Sequence, residues 1–130
     1  MAYWLLKTEP GAYAYADLER DGSTGWTGVR NSLALIHLRA MRAGDQALIY
    51  HTGKEKAIVG IATVSTHSGG TAPLVELKPV GRFAKTVTLA ELKANGKFAS
   101  FALIRLPRLS VMPVNPSEWN ALIKLSSGKA

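Results

Sequence analysis

The chain has no cysteine, no run of about 18 apolar residues, and only nine acids among its 130 residues. Each shortage excludes something. Without thiols there is no disulfide framework, no cysteine nucleophile and no thiolate metal site, which fits a reducing, cytoplasmic setting. Without a long apolar run there is no helix to span a bilayer. The N-terminus has no basic stretch leading into an apolar core, so no secretory signal is expected. The shortage of acids leaves 16 Lys and Arg in excess, a formal charge of +7 and a pI near 9.9. Such a balance favours an anionic partner, with nucleic acid ahead of an acidic membrane surface or an acidic protein. The length and a 47% hydrophobic content suit a single domain, residues 1–130, with a core of its own.

The charge is unevenly placed. Residues 1–29 carry two bases against four acids, while 30–130 carry fourteen against five. Between Lys78 and Arg108 lie seven bases and one acid, Glu91. No like-charged block is contiguous, so the bases belong to a folded surface rather than a disordered tail.

Residues 3–7 read as a buried strand closed by Pro10-Gly11. A short helix is expected over 14–20, stopped by Asp21-Gly22, and a small polar loop from Gly22 to Gly28 carries Trp26. Asn31 suits a helix N-cap, and the helix is expected to run from Ser32 to about Ala43, burying Ala34, Leu35, Leu38 and Met41 and stopped by Gly44-Asp45. Strands are expected over 46–51 and 57–65, and a half-exposed one over 73–82. Thr88 and Glu91 form a capping box for a helix ending at Asn95-Gly96. Residues 98–106 fit helix or strand, 107–111 read as a turn into a short strand, and Asn115-Pro116-Ser117-Glu118 opens a last helix running to Leu125. The mixture implies an α+β or small-barrel fold.

Catalytic signatures are missing. His37, His51 and His67 are 14 and 16 residues apart, without metal-site spacing or an acid cluster, and no nucleophile elbow or phosphate loop occurs. No cofactor, metal or catalytic residue is expected. Binding chemistry fits better. A protein that reads a base needs planar groups to stack on, polar groups for the base edge and cations for phosphates. Trp4, Trp26, Tyr50 and His51 are planar, and Thr8, Arg30, Asn31 and Arg108 supply the rest. Each has a structural alternative: Trp4 and Tyr50 as core, Asn31 as a cap. Trp26, alone among Gly and Thr, points most to a ligand.

The motifs Tyr3-Trp4-Leu5-Leu6-Lys7-Thr8-Glu9-Pro10, Trp26-Thr-Gly-Val-Arg30-Asn31, Leu38-Arg39-x-Met41-x-x-Gly44-Asp45, Tyr50-His51 and Arg108-Leu109-Ser110-Val111 occur in order. This series resembles the EVE domain family along nearly the whole chain. The resemblance implies a PUA-like fold, a small twisted, partly closed β-barrel with short helices packed around it. It also implies a non-catalytic nucleic-acid partner: a modified base, chiefly a modified cytosine in DNA, flipped into a pocket. Carried over, the pocket is lined by Trp26, Thr8, Asn31, Tyr50 and His51, with Arg30, Arg108 and Lys7 at its rim or on phosphates. The segment between Val64 and Val75 is shorter than in many relatives, which is expected to open one wall. An RNA-binding module, a nucleotide-processing enzyme and a scaffold with a vestigial pocket are the alternatives.

Overall fold

The computed structural model describes residues 2–26, 31–70 and 73–127. Six strands form one mixed sheet in the spatial order β2-β5-β4-β3-β1-β6, a half-barrel with short helices around it, the PUA-like architecture. The strands are β1 (Tyr3–Thr8), β2 (Thr24–Trp26), β3 (Gln46–His51), β4 (Ala57–His67), β5 (Val75–Thr88) and β6 (Val111–Val114). The α-helices are α1 (Tyr15–Asp21), α2 (Ser32–Ala40), α3 (Leu89–Ala94), α4 (Ala102–Arg105) and α5 (Pro116–Ser126).

β1 and β3 run parallel, joined by a long crossover, with Tyr3 opposite Gln46 and Thr8 opposite His51. The remaining pairs are antiparallel. β3 is central, and its residues 47–51 are buried on both faces, which is why its sequence is apolar rather than alternating. β5 shows the half-exposed pattern near its start: Val75 and Leu77 are buried, Glu76 half-buried and Lys78 exposed.

Gly60 lets α1 approach the sheet. A Cβ there would lie 2.9 Å from the Tyr15 ring and 2.8 Å from the Gly81 carbonyl oxygen. The Tyr15 hydroxyl fills that space usefully, donating to the Ile61 carbonyl (2.7 Å) and accepting from the Gly81 N–H (3.0 Å). At the other side Tyr3 stacks on Trp119 of α5, with ring centroids 4.2 Å apart.

Several expectations change. Residues 24–26, read as loop, pair with β5 as an edge strand. Residues 83–88 continue β5 rather than ending at 82. The second helix stops at Ala40, not Ala43, because Met41 turns extended (ψ 151°) and the Asp45 carboxylate takes the Arg42 N–H at 2.9 Å. The Arg42 guanidinium then caps the helix end through the Arg39 and Met41 carbonyls. Residues 98–106 form neither one helix nor a strand. A 3-10 turn over Gly96–Phe98 and the four residues of α4 bury Phe98, Phe101 and Leu103.

Candidate functional site

The parallel register sets Lys7 beside Tyr50 and Thr8 beside His51 at the C-terminal ends of β1 and β3, the first pair on the face of Pro107 and the second on the opposite face, toward Tyr13 and Tyr15. Each has a defined environment. Tyr50 is buried in the core, and its burial pushes the phenol pKa up. Its hydroxyl makes no hydrogen bond with any described residue. The Lys7 ammonium lies 5.7 Å from the centroid of the Tyr50 ring and donates to the Pro107 carbonyl at 2.7 Å. Burial lowers the pKa of this ammonium. A partly desolvated cation with unused N–H groups gains more from a phosphate than a fully hydrated one does.

Thr8 is committed as a donor: its hydroxyl gives to the Tyr13 carbonyl at 2.6 Å. Its own carbonyl accepts the Thr52 N–H at 2.9 Å. The hydroxyl oxygen keeps acceptor capacity for a base edge.

His51 is buried and doubly engaged. Its Nε2 accepts the Tyr15 N–H at 3.0 Å, so the ring proton sits on Nδ1 and donates to Glu55 at 2.7 Å. Within the fold, His51 therefore ties α1 to β3 and shapes the wall beside Tyr50. Nothing in the sequence distinguishes this bracing role, because Tyr15 lies 36 residues away.

Asn31 performs the cap expected of it, its Oδ1 accepting the Ala34 N–H at 3.0 Å. It also lines a cavity of about 300 Å³ with Leu33, Arg105, Leu106, Pro107, Arg108 and Leu109. The cap consumes the amide oxygen, and the NH₂ group has no partner among the described residues. Arg108 is thus brought to Asn31, and Lys7 joins both through Pro107. Sequence reasoning missed Arg105, Leu106 and Pro107. The signal available was the run Arg105-Leu-Pro-Arg108, an apolar pair between bases beside a proline.

Trp26 ends β2 opposite Val75, half-buried against the core, and because Val75 pairs with His67 while His51 pairs with Ala57, the register sets Trp26 at the opposite end of β4 from the Tyr50–His51 pair expected beside it. Arg30 and residues 27–29 fall outside the described residues, so their place between Trp26 and Asn31 is not specified. Trp4 is core: its indole N–H donates to the buried Asp45 at 2.9 Å. Among the described residues no cluster of His, Asp or Glu is arranged to hold a metal ion. No helix there is long and apolar enough to cross a membrane.

The comparisons with known proteins agree with this fold. The EVE domain model matches residues 2–125. Thymocyte nuclear protein 1 of Gallus gallus is 27% identical, the match covering 98% of this chain and 69% of that protein. The NMR structure of a Rhodopseudomonas palustris protein superposes with a TM-score of 0.90 at 38% identity, covering 98% of this chain and 94% of that one. The crystal structure of human THYN1 protein in complex with 5-methylcytosine containing DNA superposes with a TM-score of 0.87 at 24% identity over the whole of both chains. With a full-length family match and this likeness in sequence and fold, the chain belongs to the EVE domain family.

Proposed function

We propose that this is a non-catalytic reader of a modified base in DNA, with a modified cytosine as its preferred ligand, acting in the cytoplasm. The observation that carries the reading is the gathering, at one end of the β1–β3 pair, of an aromatic ring, an aliphatic-walled cavity, an amide and three cations, Lys7, Arg105 and Arg108. The ligand class is supported by the human relative, whose crystal contains 5-methylcytosine DNA.

In this reading the cations draw in the phosphate backbone, so affinity falls with salt whatever the sequence. A nucleotide leaves its stack at a cost of a few kcal/mol. Its base stacks on Trp26, as the family resemblance implies, and the Asn31 amide tests its edge. Tyr50 walls the pocket, braced by His51, while Lys7, Arg108 and Arg30 hold the flanking phosphates. Discrimination arises because a base without the modification leaves apolar wall unfilled or a buried polar group unpaired.

The test is a binding titration of matched duplexes with and without one 5-methylcytosine, and of an RNA strand of the same sequence. The expected result is a preference for the modified DNA that Trp26→Ala removes, since one stacked base is worth about 1–3 kcal/mol. Equal binding of both duplexes, unchanged by that substitution, overturns the reading. Tighter binding of the RNA would assign the site to RNA through the 2′-hydroxyl.

A further inference from the structure

The turn between α4 and β6 carries an apolar residue between two bases. Residues 105–108, Arg-Leu-Pro-Arg, are all exposed, and Leu106 keeps 45% of its surface in solvent. Across the cavity Leu33 is also exposed, at 40%. A leucine held out in water costs free energy that a polar residue would not, and the turn spends none of its length hiding it.

The turn is nevertheless well braced. The Leu106 N–H bonds to the Ala102 carbonyl at 2.8 Å, and the Leu109 N–H bonds back to Leu106 at 3.0 Å. Leu109 is buried and anchors the far side. Pro107 fixes its own φ, and its carbonyl is held by the Lys7 ammonium at 2.7 Å. The Lys7 backbone N–H also reaches Ser110 at 2.9 Å. Lys7 in turn covers Tyr50, so the tip stands one side chain from the wall of the proposed pocket. Neither Arg105 nor Arg108 meets a carboxylate among the described residues.

An apolar tip on a rigid platform between two open cations matches the demands of a gap in a base stack. Proteins that unstack DNA insert Leu, Ile, Met, Phe or Pro between base steps, and cations beside the wedge fix the strand through its phosphates. We propose that Leu106 enters the DNA stack where the read nucleotide leaves, with Arg105 and Arg108 on the phosphates either side. This inference rests on the reader function proposed above and adds the element that holds the duplex open. Rigidity matters here, because a wedge that must first be ordered gives up the binding free energy it gains.

The test uses the full chain and a duplex carrying one 5-methylcytosine beside a 2-aminopurine, whose emission rises when its neighbour unstacks. The same modified strand, single and unpaired, serves as the second ligand. The expected result for Leu106→Ala is about tenfold weaker duplex binding with a smaller rise in emission. Its affinity for the single strand should fall clearly less than its affinity for the duplex, because no gap then needs filling. Leu106→Met should keep most of the wild-type behaviour, and thermal unfolding of both variants should match the wild type.

Equal losses on duplex and single strand would make Leu106 a pocket wall and overturn the wedge. Wild-type duplex binding by Leu106→Ala would overturn it too, as would wild-type binding with no rise in emission. A wild type that unstacks the duplex without preferring the modified base instead overturns the reader, and Leu106→Ala on that duplex still judges the wedge.

Discussion

The two ends of the parallel pair β1–β3 are chemically opposite. At the N-terminal end Asp45 is buried, and its carboxylate accepts the Ala2 N–H at 3.0 Å, the Trp4 indole N–H at 2.9 Å and the Arg42 N–H at 2.9 Å. The Asp45 carbonyl adds the Val64 N–H. Every polar group named there has its partner within the chain. At the C-terminal end Lys7, Arg105, Arg108, the Asn31 NH₂ group and the Tyr50 hydroxyl keep donors that no acid or other acceptor among the described residues uses up. The lesson is that burial with full satisfaction marks a structural corner, whereas donors left in excess beside an apolar cavity mark a place for a ligand.

The strongest way to break this contrast is Asp45→Ala. It strands three donors, the Trp4 indole N–H among them in the interior, and should cost about 3 kcal/mol. For a chain of this length that is a fall of about 10 °C in thermal midpoint. DNA binding below the transition should be unchanged, and a variant with wild-type stability would refute the corner's structural role.

The same carboxylate gives a pH signature. Burial alone would raise its pKa, but the hydrogen bonds from Ala2, Trp4 and Arg42 outweigh burial and hold it below the usual carboxylate range. Unfolding returns it to about 3.9. Asp45 therefore contributes stability above about pH 4 that is lost as the pH falls toward its folded value. Thermal midpoints measured from pH 7 to pH 2 should decline less steeply for Asp45→Asn than for the wild type.

His51→Phe sharpens the division inside the site. It leaves the buried Tyr15 N–H without an acceptor and should cost about 1–2 kcal/mol in denaturant unfolding. Preference for the modified duplex should persist at equal folded fraction. Loss of that preference with stability intact would make His51 a base contact rather than a brace.

Lys7→Met should have the smallest effect on stability, within about 0.5 kcal/mol, since the half-exposed stem keeps its packing. Its effect should fall on binding instead. Affinity for every duplex should drop several-fold, and the slope of log affinity against log salt should become shallower by about one. An unchanged slope would remove Lys7 from the phosphate contacts.

How legible these features were depends on range. Thr88 with Glu91 and Asn115 with Glu118 cap α3 and α5 as their spacing implies, because a cap involves residues three apart. The same locality exposed Asn31, and the pairing of alternate burial with strand structure exposed the start of β5. Residues 24–26 looked like a loop because an edge strand of three residues takes its identity from Val75 to Leu77 on its partner. Residues 83–88 show no alternation, with 84–86 exposed in a row, and the stretch is tied to the sheet where Val87 and Thr88 pair with Ile58 and Ala57 of β4. In sequence Asp45 reads only as part of a helix stop, and its buried role is not legible because its partners Ala2 and Trp4 lie more than forty residues away.

The sequence by itself determined the helix starts, the central strands, the excess of cations after residue 30 and the ordered motifs that identify the family. Those depend on neighbours within a few positions, on composition or on a linear pattern. Only the tertiary structure decided that β1 and β3 run parallel, that Lys7 reaches across 100 residues to Pro107, and that Leu106 stands exposed between two arginines. The reason is physical: which polar groups are satisfied and which stay open is a property of the packed neighbours, and those neighbours are brought together by folding, not by sequence order.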